Sequence, residues 1–298
     1  MQLEDTPDTI DIPFERLERS DLFVFLREQI QKVFKPSLEA AVKDHDLVVI
    51  GGQSLALWAR QYLIDEMTGE DIGFLTSDDL DFTGNTSSVK YCEEQLGVKF
   101  RTASIDECTP ELAIANLSWK DDSIYVDILK MDSVGGVSAQ EISKYLSVID
   151  LDGVPVAVID PVTCVKSRLH NLFAGWQRYK ERESVRVKIA IRASECYIRE
   201  ILVYEGFRFA APYIRRIKDL ALSEKGKRIY VEYGIDLLRA IPQDAAILPK
   251  DYIEKELPRM QREVGSVRNR KLKLYLRHQR PVHYTLTSGP VIAQIDPR

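Results

Sequence analysis

Strand-like alternation of apolar residues runs through this 298-residue chain as far as Ile159 and then nearly vanishes, the tail from Pro281 being strand-like or irregular. From Pro161 onward the apolar residues recur at helical spacing, through 162–174, 184–205, 209–222 and 226–240. A chain with this pattern folds as a strand-containing front half followed by a mainly helical half. The predicted class is α+β, a mixed sheet with flanking helices and then an α-helical region. At 298 residues the chain exceeds what one core usually needs. The expected division is a helical segment at 1–45, a catalytic domain at 46–165, and a helical domain with a basic tail at 166–298.

Within the front half, residues 20–44 have a helical pattern, with Pro36 dividing it and Ser37 close to a new start. Asp46–Ile50 reads as a short buried strand stopped by Gly51-Gly52, and Gln53–Met67 as the helix after it. Further strands are expected at Leu80–Phe82, Ala113–Trp119, Ile124–Leu129, Leu146–Leu151 and Val154–Ile159, with a helix over 87–96. Asp152-Gly153 is a hairpin signal.

No apolar run approaches the roughly 20 residues that a bilayer span needs. The acidic start MQLEDTPDTIDIP differs from a secretory or transit sequence, so a cytoplasmic protein with no membrane partner is expected. Cys92, Cys108, Cys164 and Cys196 form no CxxC pair and are expected to be small buried or half-buried side chains. Net charge is −5, yet eight cations lie between Arg259 and Arg280, opposed only by Glu263. Six more lie between Arg178 and Arg192. The global charge argues against a nonspecific nucleic-acid coat, while the clusters leave open either a polyanionic partner or solvated helix faces.

Three segments carry chemistry: Val48-Val-Ile-Gly51-Gly52-Gln53-Ser54, Thr76-Ser-Asp-Asp79-Leu-Asp81-Phe82 and Tyr125-Val-Asp127-Ile-Leu129. The first is a strand running through glycines into a helix start, which suits phosphate and is equally the make-up of a plain turn. Asp79 and Asp81, two apart on a strand, share one face, and like charges so placed favour a cation between them. Asp127 interrupts the apolar series Ile124, Val126, Ile128, Leu129. Burying a carboxylate there demands a cation or strong hydrogen bonds, unless the strand is an edge with Asp127 facing water.

In this order the segments resemble the nucleotidyltransferase superfamily of polymerase-β-like fold. GGQSLALWAR followed by TSDDLDF is most similar to its bacterial branch of minimal nucleotidyltransferases and abortive-infection toxins. Pro161-Val-Thr-Cys-Val-Lys166-Ser-Arg168 resembles that branch's proline-led helix carrying a lysine. The likeness covers about residues 46–170, and the stretch from Ser54 to Asp79 is longer than in compact members.

The resemblance implies Asp79, Asp81 and Asp127 as catalytic metal ligands, with Mg2+ (or Mn2+) as cofactor. Gly51, Gly52, Ser54, Lys166 and Arg168 would bind a nucleoside triphosphate such as ATP. The implied reaction is transfer of a nucleoside monophosphate to RNA (tRNA, for instance), to protein or to a small molecule such as an antibiotic, with pyrophosphate released. A toxin of this branch would have an antitoxin as partner. The competing expectation is a nucleotide-binding or protein-binding module that uses the same fold without turnover.

Overall fold

The computed structural model describes residues 21–63, 65–68, 73–75, 79–104, 106–107, 109–174 and 180–279. Expectations for the first 20 residues, Thr76–Asp78, Cys108, Arg178 and the tail from Arg280 lie outside them. The chain opens with α1 (Asp21–Phe34) and α2 (Leu38–Lys43), divided at Pro36 as the sequence requires. Ser37 caps α2 by accepting from the Ala40 N–H at 3.1 Å.

Next come β1 (Val48–Val49), α3 (Gly51–Tyr62), β2 (Asp79–Gly84), α4 (Thr86–Leu96), β3 (Arg101–Thr102), β4 (Glu111–Trp119) and β5 (Asp122–Lys130). After α5 (Ala139–Lys144), the hairpin β6 (Leu146–Leu151) and β7 (Val154–Ile159) completes the sheet. Strand order is β3-β4-β5-β2-β1-β7-β6, with β2–β5 and β1–β7 parallel and the other pairs antiparallel.

Among the described residues, helices follow without interruption by strands: α6 (Pro161–Leu172), α7 (Lys180–Tyr204), α8 (Phe207–Leu222), α9 (Glu224–Tyr233) and α10 (Leu257–Gln279). The architecture is therefore α+β, a seven-stranded mixed sheet with flanking helices and a C-terminal helical region. One apolar cluster extends from Phe23 on α1 to Val264 on α10, so sheet and helices share a core. The indole of Trp58 on α3 donates to the Ile159 carbonyl of β7 at 2.8 Å and pins this helix across the sheet.

Three boundaries differ from the periodicity. The strand expected at 46–50 shrinks to two residues, because Asp46 takes a left-handed φ of 52° and Ile50 already serves as the N-cap of α3. α3 begins at Gly51 and stops at Tyr62 rather than running from Gln53 to Met67. The helix expected over 226–240 ends at Gly234, whose left-handed φ of 67° closes α9, and a 3-10 turn at Leu237–Ala240 follows.

The hinge from strand to helix is Asp160, fully buried at the N-cap of α6. It accepts from the Val162 and Thr163 N–H groups at 2.9 and 3.1 Å and from Nη1 of Arg216 on α8 at 3.0 and 3.1 Å. Arg216 also reaches Glu141 of α5 at 3.1 Å and stacks on the Tyr145 ring at 4.0 Å. Removing the carboxylate leaves a buried guanidinium short of its partner. Asp160→Ala is expected to cost about 3–5 kcal/mol in chemical denaturation. A loss near the 1 kcal/mol typical of a simple cap would show that Arg216 finds full compensation at Glu141.

Candidate active site on the open sheet face

The parallel pairing of β2 with β5 sets Asp81 directly opposite Asp127 and Asp79 opposite Tyr125. Residues two apart on a strand share a face, and lateral partners share it too. All three carboxylates, with Tyr125, therefore stand on one side of the sheet. Leu80, Phe82, Val126 and Ile128 fill the other side and are fully buried. The alternation read from the sequence thus places Asp127 on the open face between two apolar neighbours.

Asp81 is further constrained by the turn from β1 into α3. The Ile50 N–H donates to the Asp81 carbonyl at 3.0 Å. Gly51 has φ +67°, and a Cβ there would lie 1.7 Å from Asp81 Oδ2. Only glycine permits that backbone conformation together with that close approach. The carboxylate consequently lies against the start of α3, whose N-cap Ile50 offers no side-chain acceptor. The positive end of the helix favours the charged form there.

Opposing forces nevertheless dominate the electrostatics. Burial first, then the charges of Asp79 and Asp127, push the Asp81 carboxyl up to about 8, against a smaller lowering by Arg168 and Arg186. Burial, Asp79 and Glu111 push Asp127 up to about 6. Asp127 Oδ1 is buried with no hydrogen-bond partner. An oxygen-only donor set with a surplus of negative charge and an unmatched buried oxygen fits a hard divalent cation. Among the described residues no group of three His, Cys, Asp or Glu is already closed to ligating geometry. Repulsion between bare carboxylates opposes such closure.

The other expected residues divide. Gly51 touches Asp81, and Gly52 is buried behind it in the first turn of α3. Ser54 is fully buried, donating to the Gly51 carbonyl at 2.9 Å and lying 3.5 Å from Cys164 Sγ of α6. Its hydroxyl thus braces the helix start from inside. Arg168 is buried on α6 close enough to act on Asp81, whereas Lys166, two positions away, is ion-paired with Glu141. Arg168 is thus held by Glu183 with its charge felt at Asp81, while Lys166 is engaged beside the Asp160–Arg216 hinge.

Sequence reasoning missed the counter-charges on α7. Glu183 lies 2.9 Å from Arg186 and 3.7 Å from Arg168, and all three are nearly inaccessible. Burial, then repulsion from Arg168, draws the Arg186 guanidinium down to about 10, and its Nη2 has no partner. Arg182 and Arg186 donate from Nε to the Phe74 carbonyl at 3.3 and 2.8 Å, just upstream of Asp79. Tyr125, 55% exposed on the carboxylate face, was also missed. Its signal, an exposed aromatic two residues before Asp127, was present in the strand alternation.

The raised acids have a measurable consequence. Both carboxyls bind protons more tightly folded than unfolded, where Asp titrates near about 3.9. Their neutral forms contribute stability that is fully present below that value and is lost as pH rises through 6 and then 8. In chelator, the thermal midpoint is expected to fall with rising pH more steeply for the wild type than for Asp81→Asn. Mg2+ should raise the wild-type midpoint more at pH 8.5 than at pH 5. Equal slopes in the two proteins would remove the electrostatic coupling.

No protein-family model matches the sequence, and no curated protein sequence matches it. Among solved structures, the chain is similar to an antigenic nucleotidyltransferase-like protein from Paracoccidioides brasiliensis. The identity is 10% and the TM-score 0.40, over 75% of this chain and 96% of that one.

Proposed function

We propose that the protein is a metal-dependent nucleotidyltransferase that moves a nucleoside monophosphate from a nucleoside triphosphate to an acceptor. The observation that carries this reading is the register that sets Asp81 opposite Asp127 on the open face, with a buried Asp127 oxygen left unmatched. Asp79, Asp81 and Asp127 would hold Mg2+, with Mn2+ as a substitute. Bound there, the metal would polarise phosphoryl oxygens and lower the pKa of an attacking hydroxyl.

The chain's own groups supply the rest. The start of α3, which Gly51 lets lie against Asp81, offers a phosphate its backbone N–H groups and the positive end of the helix. Arg168 and Arg186 are two buried guanidiniums whose charge is felt at Asp81, and the unpartnered Nη2 of Arg186 is suited to donating to a phosphate oxygen. Tyr125, beside Asp79 in register, gives the open face an apolar ring on which a base or acceptor can rest.

For the acceptor, the placement of the cations favours RNA over a small molecule, though less broadly than charge counting implies. In the 178–192 cluster, Arg186 pairs with Glu183, and Arg192 pairs with Glu66 and Glu195. In the later cluster Arg268 is buried on Asp236 and Tyr230, while Lys271 meets Glu224. Arg262, Arg270, Lys273 and Arg277 are exposed, and helical spacing puts all four on one face of α10. None of the four has an acidic partner among the described residues. That stripe is what could follow a single-stranded phosphate backbone, with binding that weakens as salt rises.

Incubation with each labelled triphosphate, Mg2+ and total RNA or lysate, with pyrophosphate release measured, tests the reading. Asp127→Asn and Gly51→Ala are each expected to lower turnover at least about 10²–10³-fold, the scale of losing one charge-stabilising group. Turnover retained in Asp127→Asn would refute it. Triphosphate binding without pyrophosphate release would leave the non-catalytic nucleotide-binding module in its place.

A further inference from the structure

β6 and β3 are the two edges of the sheet, and they are built differently. β3 has two residues, one of them Arg101, and offers almost nothing to pair with. β6 has six, Leu146-Ser-Val-Ile-Asp-Leu151, without lysine, proline or bulge. Its hairpin with β7 closes over the two-residue turn Asp152-Gly153, with Leu151 opposite Val154. The pair flanking such a turn is hydrogen-bonded, and bonded and non-bonded pairs alternate beyond it. The amide and carbonyl groups of Asp150, Val148 and Leu146 therefore point away from β7. They leave a row about 13 Å long unpaired among the described residues.

Alongside this row runs a cleft of about 450 Å3 between β6 and α7, floored by Trp58 and Tyr62 from the last turn of α3. Val148 (53% exposed) and Tyr204 (81% exposed) line it. Phe209, also more than half exposed, lines an adjoining hollow of about 270 Å3 that shares Tyr197 with it. Three of the seven large apolar side chains that stand in solvent among the described residues thus gather at one edge. Asp150, Glu200 and Glu205 rim the cleft, and no cation lines it; Lys144 and Arg208 lie only in the adjoining hollow.

We propose that the β6 edge and its cleft bind an extended peptide segment of another protein, basic and aliphatic in alternation, which adds to the sheet as an eighth strand. Main-chain bonds to the outward groups of β6 hold it. Its side chains on one face enter the cleft along Tyr197 and Tyr204, and those on the other lie over Val148. The acidic rim selects lysine or arginine at the flanks. A second copy of this chain fits poorly, because antiparallel self-pairing on β6 would bring both acidic rims to one seam. The first 20 residues, with six acids against two arginines, carry the wrong charge as well. The site stands apart from the carboxylate centre, since α3 begins against Asp81 and ends at this cleft about 18 Å away.

The test is fluorescence anisotropy of the full chain with two fluorescein-labelled octapeptides, one alternating Lys with Val and one alternating Glu with Val. The Lys-Val peptide is expected to bind with a micromolar Kd and the Glu-Val peptide at least tenfold more weakly. Val148→Pro removes an outward N–H without touching the β6–β7 ladder, and should weaken the Lys-Val peptide at least tenfold. Val148→Lys, which leaves the backbone intact, should do the same if proline perturbs folding. Binding of Mg2+-triphosphate should be unchanged in both variants, which separates this site from the nucleotide reading. Three outcomes overturn the proposal: no binding by the wild type, equal binding of the two peptides, or binding indifferent to both substitutions. Wild-type dimers in sedimentation that the same substitutions dissolve would assign the edge to a second copy and overturn it too.

Discussion

Everything at the carboxylate centre depends on one register, the parallel pairing that sets Asp81 beside Asp127. A slip of one residue in either strand would turn an acid into the apolar layer, where an unpaired charge costs several kcal/mol. The apolar positions hold the register from behind: Leu80, Phe82, Val126 and Ile128 are fully buried, so hydrophobic burial fixes what charge repulsion alone would push apart. The same logic explains Gly51. The chain enters α3 so close to Asp81 that a single added carbon would collide with the carboxylate.

Charge is balanced in layers around this centre. The acids face outward on the sheet, and a separate buried group of Arg168, Glu183 and Arg186 carries one surplus positive charge. Neither layer is satisfied alone, since Asp127, Glu183 and Arg186 each keep a buried polar atom without a hydrogen bond. Such unmatched atoms are uncommon in folded proteins, and three of them lie on these residues.

Much of this was legible in the sequence, and the remainder was hidden for identifiable reasons. The α+β class, both halves of the β6–β7 hairpin and the division at Pro36 follow from periodicity and turn chemistry, which are local. Asp127 stood out because a charge broke an apolar run. That Asp79, Asp81 and Asp127 meet on one sheet face was expected, while the register that sets Asp81 directly beside Asp127 was not, since strand partners are chosen by the whole sheet. Arg186 was counted in a cluster open to either a polyanion or solvent, because charges at helical spacing look alike whether they meet a partner, water or each other. Lys166 was singled out by resemblance, while Glu141, the residue that engages it, lies 25 positions earlier on a separate helix. Asp46 and Gly234 changed element boundaries through left-handed backbone, which periodicity does not register.

The bonds from Arg182 and Arg186 to the Phe74 carbonyl give the helical half a second significance. They tether the approach to β2 to a helix more than 100 residues further along the chain. The strand-rich half is therefore joined to the helical half by main-chain bonds as well as by the shared apolar core. A chain ending after β7 would lose the guanidiniums that hold this carbonyl and would expose the apolar surface that α6 and α7 cover. During synthesis the acidic strand would wait, incompletely anchored, until α7 had been made and docked.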